Sequence, residues 1–364
     1  MYSFDPTEEQ QMLIDTVKRY AEKDLREAAR EAEEGGALLD KLVQKGWDLG
    51  LLQASMPEEL GGFGEYSAVT GALAAEELAY GDLAAALAVL TPNLFTLPLL
   101  LQGDEAQADQ YIPSIVEGAW QPYTAAFIEP YYDFDPNAMR ASAKKEGDSY
   151  ILQGEKAYVP YAAEAPAMLV YADLEGETQA FIVEADAEGL TIGERQKLLG
   201  LNALPLHELH LDQVQVAAGA RLGGSEGHDF APLLDSMRVG MAALGVGLAR
   251  ASFDYSRDYA KEREVLGSMI AQKQSIAFML AEMATEIEAT RLLTWEAAWQ
   301  LDEEWEEASQ TAYLAHSGAA DMAMMVTDRG VQILGGHGYI REHPVELWMR
   351  NGRGITSLTG LALV

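Results

Sequence analysis

The chain has 364 residues, and at roughly 150 residues per domain this length predicts two or three domains. Hydrophobic residues make up 49% of it and aromatic residues 9%, so packed cores are expected and global disorder is excluded. The formal net charge of −33 argues against nucleic acid or an anionic membrane surface as a partner. The absence of cysteine excludes disulfides, thiolate metal sites and a cysteine nucleophile.

The sequence shows no sign of a secretory signal or a membrane span. Residues 1–6 contain neither a cationic nor an apolar segment. The most apolar stretch, residues 83–101, is interrupted by Pro92 and Pro98 and is not expected to form a continuous spanning helix. We therefore expect a cytoplasmic protein.

The first third of the chain has a helical pattern. Thr7 and Gln10 fit a capping box at the start of a helix that the apolar spacing extends over residues 7–34. Residues 68–90 are rich in alanine and leucine, which predicts one buried helix. We expect an N-terminal α-helical domain over residues 1–115.

Short alternating runs replace this pattern between about residues 123 and 221. Gly, Asp and Glu turns separate the runs at intervals of about 10 residues, which is typical of an antiparallel sheet or a small barrel. These runs predict a middle β domain over residues 116–222. The predicted strands are Tyr150–Leu152, Ala167–Tyr171, Ala180–Val183 and Leu209–Leu211.

Helical periodicity returns after residue 227 and continues to about residue 330. Apolar residues recur three or four positions apart, for example at Met241, Leu244 and Leu248. This pattern predicts a C-terminal helical domain over residues 223–364. Because helices, strands and helices form separate blocks, the chain is expected to have an α+β fold and not a doubly wound α/β sheet.

A scan for common catalytic and metal motifs gives no match. His207 and His210 lie three apart in a predicted strand, so their side chains should point to opposite faces and make no metal pair. The glycine-rich residues 334–339 lack the spacing and the strand–turn–helix context of a dinucleotide fingerprint. We predict no metal site.

A set of polar and glycine residues in the C-terminal domain, which we call the donor group, is better suited to ligand binding. Guanidinium, amide and free backbone N–H groups suit a pyrophosphate and the edge of a heteroaromatic ring. The alternative is a solvated helix face that ends in a C-cap glycine turn. The donor group comprises Arg263, Gln274, Gln332, Gly335 and Gly336.

Ordered motifs over most of the chain resemble those of the acyl-CoA dehydrogenases, a family of flavoproteins. The most specific match is the run Gln332 to Gly338, followed by Pro344-Val345-Glu346 and Met349-Arg350. The resemblance implies an N-terminal α domain, a middle β domain and a C-terminal four-helix domain. Other matching segments are Pro57–Gly64, Glu77-Leu78-Ala79, Glu129-Pro130 with Asp135, Gly154-Glu155-Lys156, Leu199-Gly200-Leu201, Asp235-Ser236-Met237-Arg238, Tyr259, Arg263, Gly267 and Gln274.

The resemblance also implies a chemistry. In that family FAD accepts a hydride from the β-carbon of an acyl-CoA while a glutamate removes the α-proton. The donor group would then contact an FAD bound mainly by a neighbouring subunit, and Tyr158 would stack on the flavin. Asp235, Arg238 and Gly360 would bind the substrate. An oligomer and an electron-transfer flavoprotein as the oxidant are implied as well.

Both positions at which the family places this glutamate hold other residues. The usual Glu-Gly pair falls on Thr359-Gly360, and the alternative position, just before Arg238, is Met237. A hydroxyl has no useful basicity near neutral pH, and a thioether is no proton acceptor. We therefore assign no catalytic residue.

The middle domain also departs from the family at the flavin. Ile128 and Phe134 stand where Thr and Ser are usual. Tyr158 replaces a Trp, and Pro160 replaces a hydroxyl residue. These changes remove several hydrogen bonds to the flavin, each worth about 0.5–1.5 kcal/mol net. Because the donor group remains, the chain is expected to serve a neighbour's FAD better than its own.

Three functional hypotheses follow. The favoured one is the base-less subunit of a heteromeric acyl-CoA dehydrogenase, paired with a homologous subunit that carries the glutamate, as in family branches that handle bulky steroid-like acyl groups. The second is a self-sufficient homotetramer whose base is relocated to Glu129 or Asp235. The third is a non-catalytic module of the same fold that binds acyl-CoA or protein.

Overall fold

The computed structural model describes residues 5–364, so residues 1–4, on which part of the expectation about a secretory signal rests, lie outside it. The helices in the described range are α1 (Glu8–Tyr20), α2 (Arg26–Gly35), α3 (Asp40–Trp47), α4 (Ala68–Gly81), α5 (Leu83–Leu90), α6 (Asn93–Gln102), α7 (Glu105–Val116), α8 (Phe230–Glu262), α9 (Gln274–Asp302), α10 (Ala308–Leu334) and α11 (Val345–Gly352). The strands are β1 (Thr124–Ala126), β2 (Ser142–Glu146), β3 (Ser149–Pro160), β4 (Ala167–Leu174), β5 (Glu177–Glu184), β6 (Leu190–Arg195), β7 (Leu206–Ala217), β8 (Glu264–Val265) and β9 (Ser268–Met269).

The order of elements confirms the predicted α+β fold of helices, strands and helices, with two differences in the first block. Thr7 and Gln10 form the predicted capping box of α1, but a π-helical turn at Ala21–Leu25 interrupts the predicted helix over residues 7–34. The single helix predicted over residues 68–90 is two helices. Asp82 leaves the helical conformation and caps α5, accepting a hydrogen bond from the Ala85 N–H at 2.9 Å.

Strands β1 to β7 form one curled sheet in the order β1-β4-β2-β3-β7-β6, with β5 paired to β4. The four predicted strands lie within β3, β4, β5 and β7, and these pair in the expected antiparallel manner. Two further contacts, β1 with β4 and β2 with β4, are parallel. The alternating sequence pattern did not predict these parallel contacts, because β1 has only three residues and β2 pairs with β4 at a single residue pair.

Strand β4 separates two cores because successive side chains point to opposite faces of a sheet. Leu169 and Tyr171 join the large core that contains the helices. Met168 and Val170 join a smaller core enclosed by the strands. With both faces covered, β4 has the continuous apolar sequence expected of a buried strand.

A buried ion network joins α4 to the C-terminal helices. Glu76 accepts a hydrogen bond from Trp295 Nε1 at 3.1 Å and pairs with Arg291 Nε at 2.8 Å. Arg250 of α8 pairs with both Glu76 and Glu77. Because a buried carboxylate is tolerated only when it is paired, this network holds α4, α8 and α9 in one arrangement.

Within residues 5–364, no single helix is long and apolar enough to cross a membrane. The pair α5 and α6 passes that test by length and composition alone, with a bend of 47° between the two helices. Most residues of this pair are buried in the large core.

Candidate active site

A cavity of about 690 Å³, which we call the main cavity, lies between the middle domain and the C-terminal helices. Its volume falls within the range of about 300–1,000 Å³ that is typical of ligand pockets. The sheet-side wall includes Ile128, Glu129, Phe134, Tyr158, Gln196 and Glu208. The helix-side wall includes Leu234, Arg238, Tyr313 and His316, and the segment after α11 contributes Thr356, Ser357 and Thr359.

Of the two positions where the resemblance places the base, one lies in the main cavity. Thr359 lines the cavity, and its Oγ1 lies 3.3 Å from Nε2 of His316. Met237 is fully buried in the large core and does not line the cavity. In the described part of the chain, the carboxylates that line the main cavity are those of Glu129 and Glu208.

Glu129, the first candidate for a relocated base, has no free oxygen to offer. Its carboxylate accepts hydrogen bonds from the backbone N–H groups of Arg140 at 2.9 Å and Ala141 at 2.8 Å, and from Lys156 Nζ at 3.1 Å. Burial lowers the pKa of Lys156 to about 8, although the Glu129 carboxylate opposes that shift. Glu129 therefore fixes the loop between β1 and β2.

Asp235, the second candidate, lies outside the main cavity. It lines a separate cavity of about 520 Å³ and accepts hydrogen bonds from Ser309 Oγ and, at 2.9 Å, from Arg238 Nη1. Asp235 and Arg238 thus form an ion pair between positions three residues apart on α8. The guanidinium of Arg238 also lies 5.3 Å from the centre of the Tyr313 ring. Arg238 therefore reaches the main cavity as a partly compensated cation.

The sheet-side wall offers an aromatic face and few free hydrogen-bond donors. Tyr158 is half-buried, and its N–H donates to Gln196 Oε1 at 3.1 Å. The neighbouring Ala157 N–H donates to the Ile128 carbonyl at 2.8 Å, and Pro160 has no N–H to offer. Glu208 accepts from Gln196 Nε2 at 3.0 Å. This wall fits the face of a planar ring better than its polar edge.

Gly360 follows Thr359 at a position that only glycine fits. Its φ is +90°, and a Cβ added there would lie 2.3 Å from Cδ1 of Phe127. The backbone of residue 360 therefore lies directly against the Phe127 ring. Any side chain at residue 360 would require Phe127 to move out of the large core.

Replacing Gly360 is therefore expected to destabilise the protein. Gly360→Ala should lower the free energy of unfolding by about 3 kcal/mol, because strain at positive φ adds to overpacking against Phe127. Gly267→Ala is the matched control, since Gly267 also has positive φ but has no atom within 4 Å of an added Cβ, and it should cost about 1 kcal/mol. Equal urea midpoints for the two variants would contradict the packing argument.

The donor group gathers at one exposed end of the C-terminal helices. Arg263 ends α8, Gln274 begins α9, and Gln332 lies in the last turn of α10, just before Gly335 and Gly336. All five are exposed. Gly335 has a φ of +59°, and a Cβ added at either glycine would meet no atom within 4 Å, so the turn is open to a ligand.

Two contacts hold this end of the helices together. An ion pair between Arg329 and Glu282 joins α10 to α9 at 2.5 Å. The hydroxyl of Tyr259 lies 2.8 Å from Nδ1 of His337, which joins the end of α8 to the glycine turn. Arg263 is exposed, and within residues 5–364 the hydrogen bonds found for it are those of its backbone, so its guanidinium is available to a ligand.

The donor group lies far from Arg238, and so from the main cavity, along α8. Arg263 is 25 residues beyond Arg238, and both lie on or at the end of α8. At about 1.5 Å per residue, they are separated by about 37 Å along the helix axis. The two sites therefore lie far apart on the same chain.

Sequence reasoning did not single out His316, which the structure brings to the main cavity. The feature of the sequence that could have indicated it is the spacing of Tyr313 and His316, which lie three residues apart in an alanine-rich helical segment. Burial, and then the charge of Arg238, lowers the pKa of His316 to about 4. The imidazole is therefore neutral near pH 7.

The pair His207 and His210 lies on opposite faces of β7, as predicted. His207 is buried, with Nδ1 3.0 Å from the Gly193 carbonyl oxygen. His210 is exposed and lies beside Glu155 at 3.3 Å. Within residues 5–364, no group of three or more His, Asp or Glu side chains has an arrangement that holds a metal ion.

The fold and the cavity define a class of protein: a helical domain, a curled sheet and a second helical domain, with a ligand cavity where the sheet meets the last helices. Models of the N-terminal, middle and C-terminal domains of acyl-CoA dehydrogenase match residues 7–119, 125–214 and 230–362. The chain belongs to the acyl-CoA dehydrogenase family, whose members are oxidoreductases that act on CH–CH bonds.

Two characterised relatives are similar over nearly the whole chain. Cyclohex-1-ene-1-carbonyl-CoA dehydrogenase of Syntrophus aciditrophicus is 33% identical, covering 97% of this chain and 87% of the relative. The caffeyl-CoA reductase-Etf complex subunit CarC of Acetobacterium woodii is also 33% identical, covering 98% and 96%.

Two solved structures have the same fold. Butyryl-CoA dehydrogenase from Megasphaera elsdenii has a TM-score of 0.88 and 30% identity, covering 100% of this chain and 96% of that chain. A glutaryl-CoA dehydrogenase from Mycobacterium smegmatis in complex with FADH2 has a TM-score of 0.86 and 26% identity, covering 98% and 92%.

Proposed function

We propose that the chain takes part in the FAD-dependent α,β-dehydrogenation of an acyl-CoA thioester, as the subunit without a carboxylate base in a heteromeric assembly. One observation carries this proposal. Thr359, onto which the resemblance maps the family's glutamate, lines the main cavity, while Glu129 is held by three donors and Asp235 lines another cavity. The carboxylate would come from a homologous subunit.

The residues present fit FAD in two different ways. When bound, FAD supplies the acceptor for the substrate's β-hydride. Tyr158 and Ile128 provide a flat wall for its ring system in the main cavity, with few polar partners. The donor group, with its open glycine turn and unpaired Arg263, suits the phosphates of an FAD held by a neighbour. The similarity to a glutaryl-CoA dehydrogenase in complex with FADH2 supports the same cofactor.

A CoA thioester is the substrate class that the relatives support, since the named ones act on cyclohexene-carbonyl-CoA, caffeyl-CoA and butyryl-CoA. Arg238, ordered by Asp235, is the cation of the main cavity and the proposed contact to the substrate. Gly360 would bring its backbone close to the thioester. An electron-transfer flavoprotein is the proposed oxidant, in line with the Etf complex of the caffeyl-CoA reductase relative. We also propose that the protein is cytoplasmic.

A self-sufficient homotetramer is the second candidate. The observation that favours it is the neutral imidazole of His316 beside Thr359, which gives the main cavity a proton acceptor that is not a carboxylate. This hypothesis had placed the base at Glu129 or Asp235. Glu129 is already held by hydrogen bonds and Asp235 lines a different cavity, so neither carboxylate supports it.

Co-expression with a family member that retains the Glu-Gly pair tests the proposal. The two chains should co-purify with FAD and dehydrogenate an acyl-CoA, whereas this chain alone should hold little FAD. In the complex, Arg263→Ala should weaken FAD binding at least about tenfold, or about 1.4 kcal/mol, by removing a charge-assisted contact. Arg257→Ala is the matched control, because Arg257 lies on the same helix and pairs with Asp254 and Asp258.

Three results would count against the heteromer. Stoichiometric FAD binding and acyl-CoA dehydrogenation by this chain alone would support the homotetramer. A complex without flavin would support a non-catalytic module that binds acyl-CoA or protein. Equal FAD affinity for the wild-type complex and its Arg263→Ala variant would remove the proposed role of the donor group.

A further inference from the structure

The main cavity contains a nitrogen base beside the position where a carboxylate is absent. Nε2 of His316 lies 3.3 Å from Oγ1 of Thr359, and both side chains line the cavity. Within residues 5–364, no hydrogen bond is found to the other ring nitrogen, Nδ1. If Nε2 carries the proton and donates to Thr359, Nδ1 keeps a free lone pair.

The groups around His316 favour its neutral form. Burial, and then the positive charge of Arg238, lowers the pKa of His316 to about 4. Tyr313 on the same helix also lines the cavity. On the opposite wall, Glu129 is held by Lys156 and Glu208 accepts from Gln196, so neither carboxylate pairs with the imidazole.

We propose that His316 is the proton acceptor of this chain's own cavity, with Thr359 as the positioning residue that bonds its other ring nitrogen. The bond between the α-carbon of a bound thioester and its hydrogen breaks, and the proton moves to Nδ1 of His316. The electron pair stays on the thioester as an enolate, with its charge on the carbonyl oxygen. Return of a proton from His316 to carbon completes an exchange that needs no oxidant.

This inference rests on the proposed thioester substrate and goes beyond the heteromer. The homologous subunit's carboxylate carries the main turnover, and His316 supports a slower proton transfer in the cavity of this chain. The low basicity of the buried imidazole is the reason for the slower rate, since a general base works best with a pKa near the operating pH.

Exchange of the α-protons of acetoacetyl-CoA in D2O, followed by NMR, tests the proposal without FAD or a second subunit. The full chain should accelerate exchange over buffer. His316→Asn should slow it by about 10²-fold, the lower end of what a positioned base contributes. Thr359→Val should slow it by about tenfold, because Nε2 of His316 loses the hydroxyl that positions the ring. His210→Asn should match wild type, because His210 lies outside the cavity.

The pH dependence of the exchange rate distinguishes catalysis by an imidazole from catalysis by hydroxide. With His316 neutral above a pKa of about 4, the protein-dependent rate should be flat between about pH 6 and 8. Exchange by hydroxide alone rises about tenfold per pH unit over the same range. A protein-dependent rate that rises in parallel with hydroxide would overturn the assignment.

A second variant shows whether a loss of exchange in His316→Asn reflects only a loss of the fold. Thr359→Glu in the His316→Asn background should restore exchange, because a carboxylate then occupies the vacant position. Equal rates for His316→Asn and wild type would refute the proposal, as would a loss that Thr359→Glu fails to restore. Neither result would bear on co-purification with a homologous subunit, and failed co-purification would not change the exchange rates.

Discussion

Thr359→Glu is expected to raise the rate of acyl-CoA dehydrogenation in this chain's own cavity by about 10²-fold at saturating FAD. A positioned general base contributes about 10²–10⁴-fold, and His316 already supplies part of this in the wild type. The main cavity, at about 690 Å³, has room for the longer side chain. Anaerobic loss of the flavin absorbance after mixing with an acyl-CoA measures the rate.

Thr359→Gln is the control for this prediction, since it has the shape of glutamate without the proton-accepting carboxylate. It should not raise the rate above the wild-type level. Equal rates for the Glu and Gln variants, with FAD and thioester still bound, would mean that residue 359 does not face the α-carbon. The assignment of this position, which the account depends on, would then be wrong.

Lys156→Met is expected to lower the free energy of unfolding by about 3 kcal/mol, the second large effect. Lys156 and Glu129 are both buried and lie 3.1 Å apart, so removing the ammonium leaves a buried carboxylate without its counter-charge. The backbone N–H groups of Arg140 and Ala141 still bind Glu129, which keeps the loss near the lower end of the range for buried pairs. Urea unfolding followed by circular dichroism measures it.

The double variant Glu129→Gln with Lys156→Met should recover most of the lost stability, because neither buried charge then remains. Lys144→Met is the control, since Lys144 is 78% exposed and pairs with Glu146 at the surface, and its unfolding midpoint should not change. If the double variant is as unstable as Lys156→Met, the loss comes from packing and not from the unpaired carboxylate.

Much of the fold could be predicted because local chemistry and tertiary structure agree along most of the chain. The Thr7 capping box and the alternating strands are local features, and the structure confirms both. The break in the helix over residues 68–90 was missed because apolar periodicity outweighed Asp82, although Gly81-Asp82 is a recognisable stop and cap. The parallel contacts of β4 depend on strands too short to carry a pattern.

The candidate site was less accessible to sequence reasoning, because it depends on residues far apart in the chain. Thr359 was found through the register of a family motif, but His316, 43 residues earlier, is its neighbour only after folding. The commitment of Glu129 to Lys156 likewise appears only when β1, β3 and the following loop come together. Residue type alone offered Glu129 as a free carboxylate.

A structure of this chain with FAD and a non-oxidisable acyl-CoA analogue, such as a thioether in place of the thioester, would test the central claim most directly. The decisive quantity is which protein atoms lie within hydrogen-bonding reach of the carbon that corresponds to the substrate's α-carbon. We expect Nδ1 of His316 and the side chain of Thr359 there. A carboxylate oxygen of this same chain at that carbon would contradict the account.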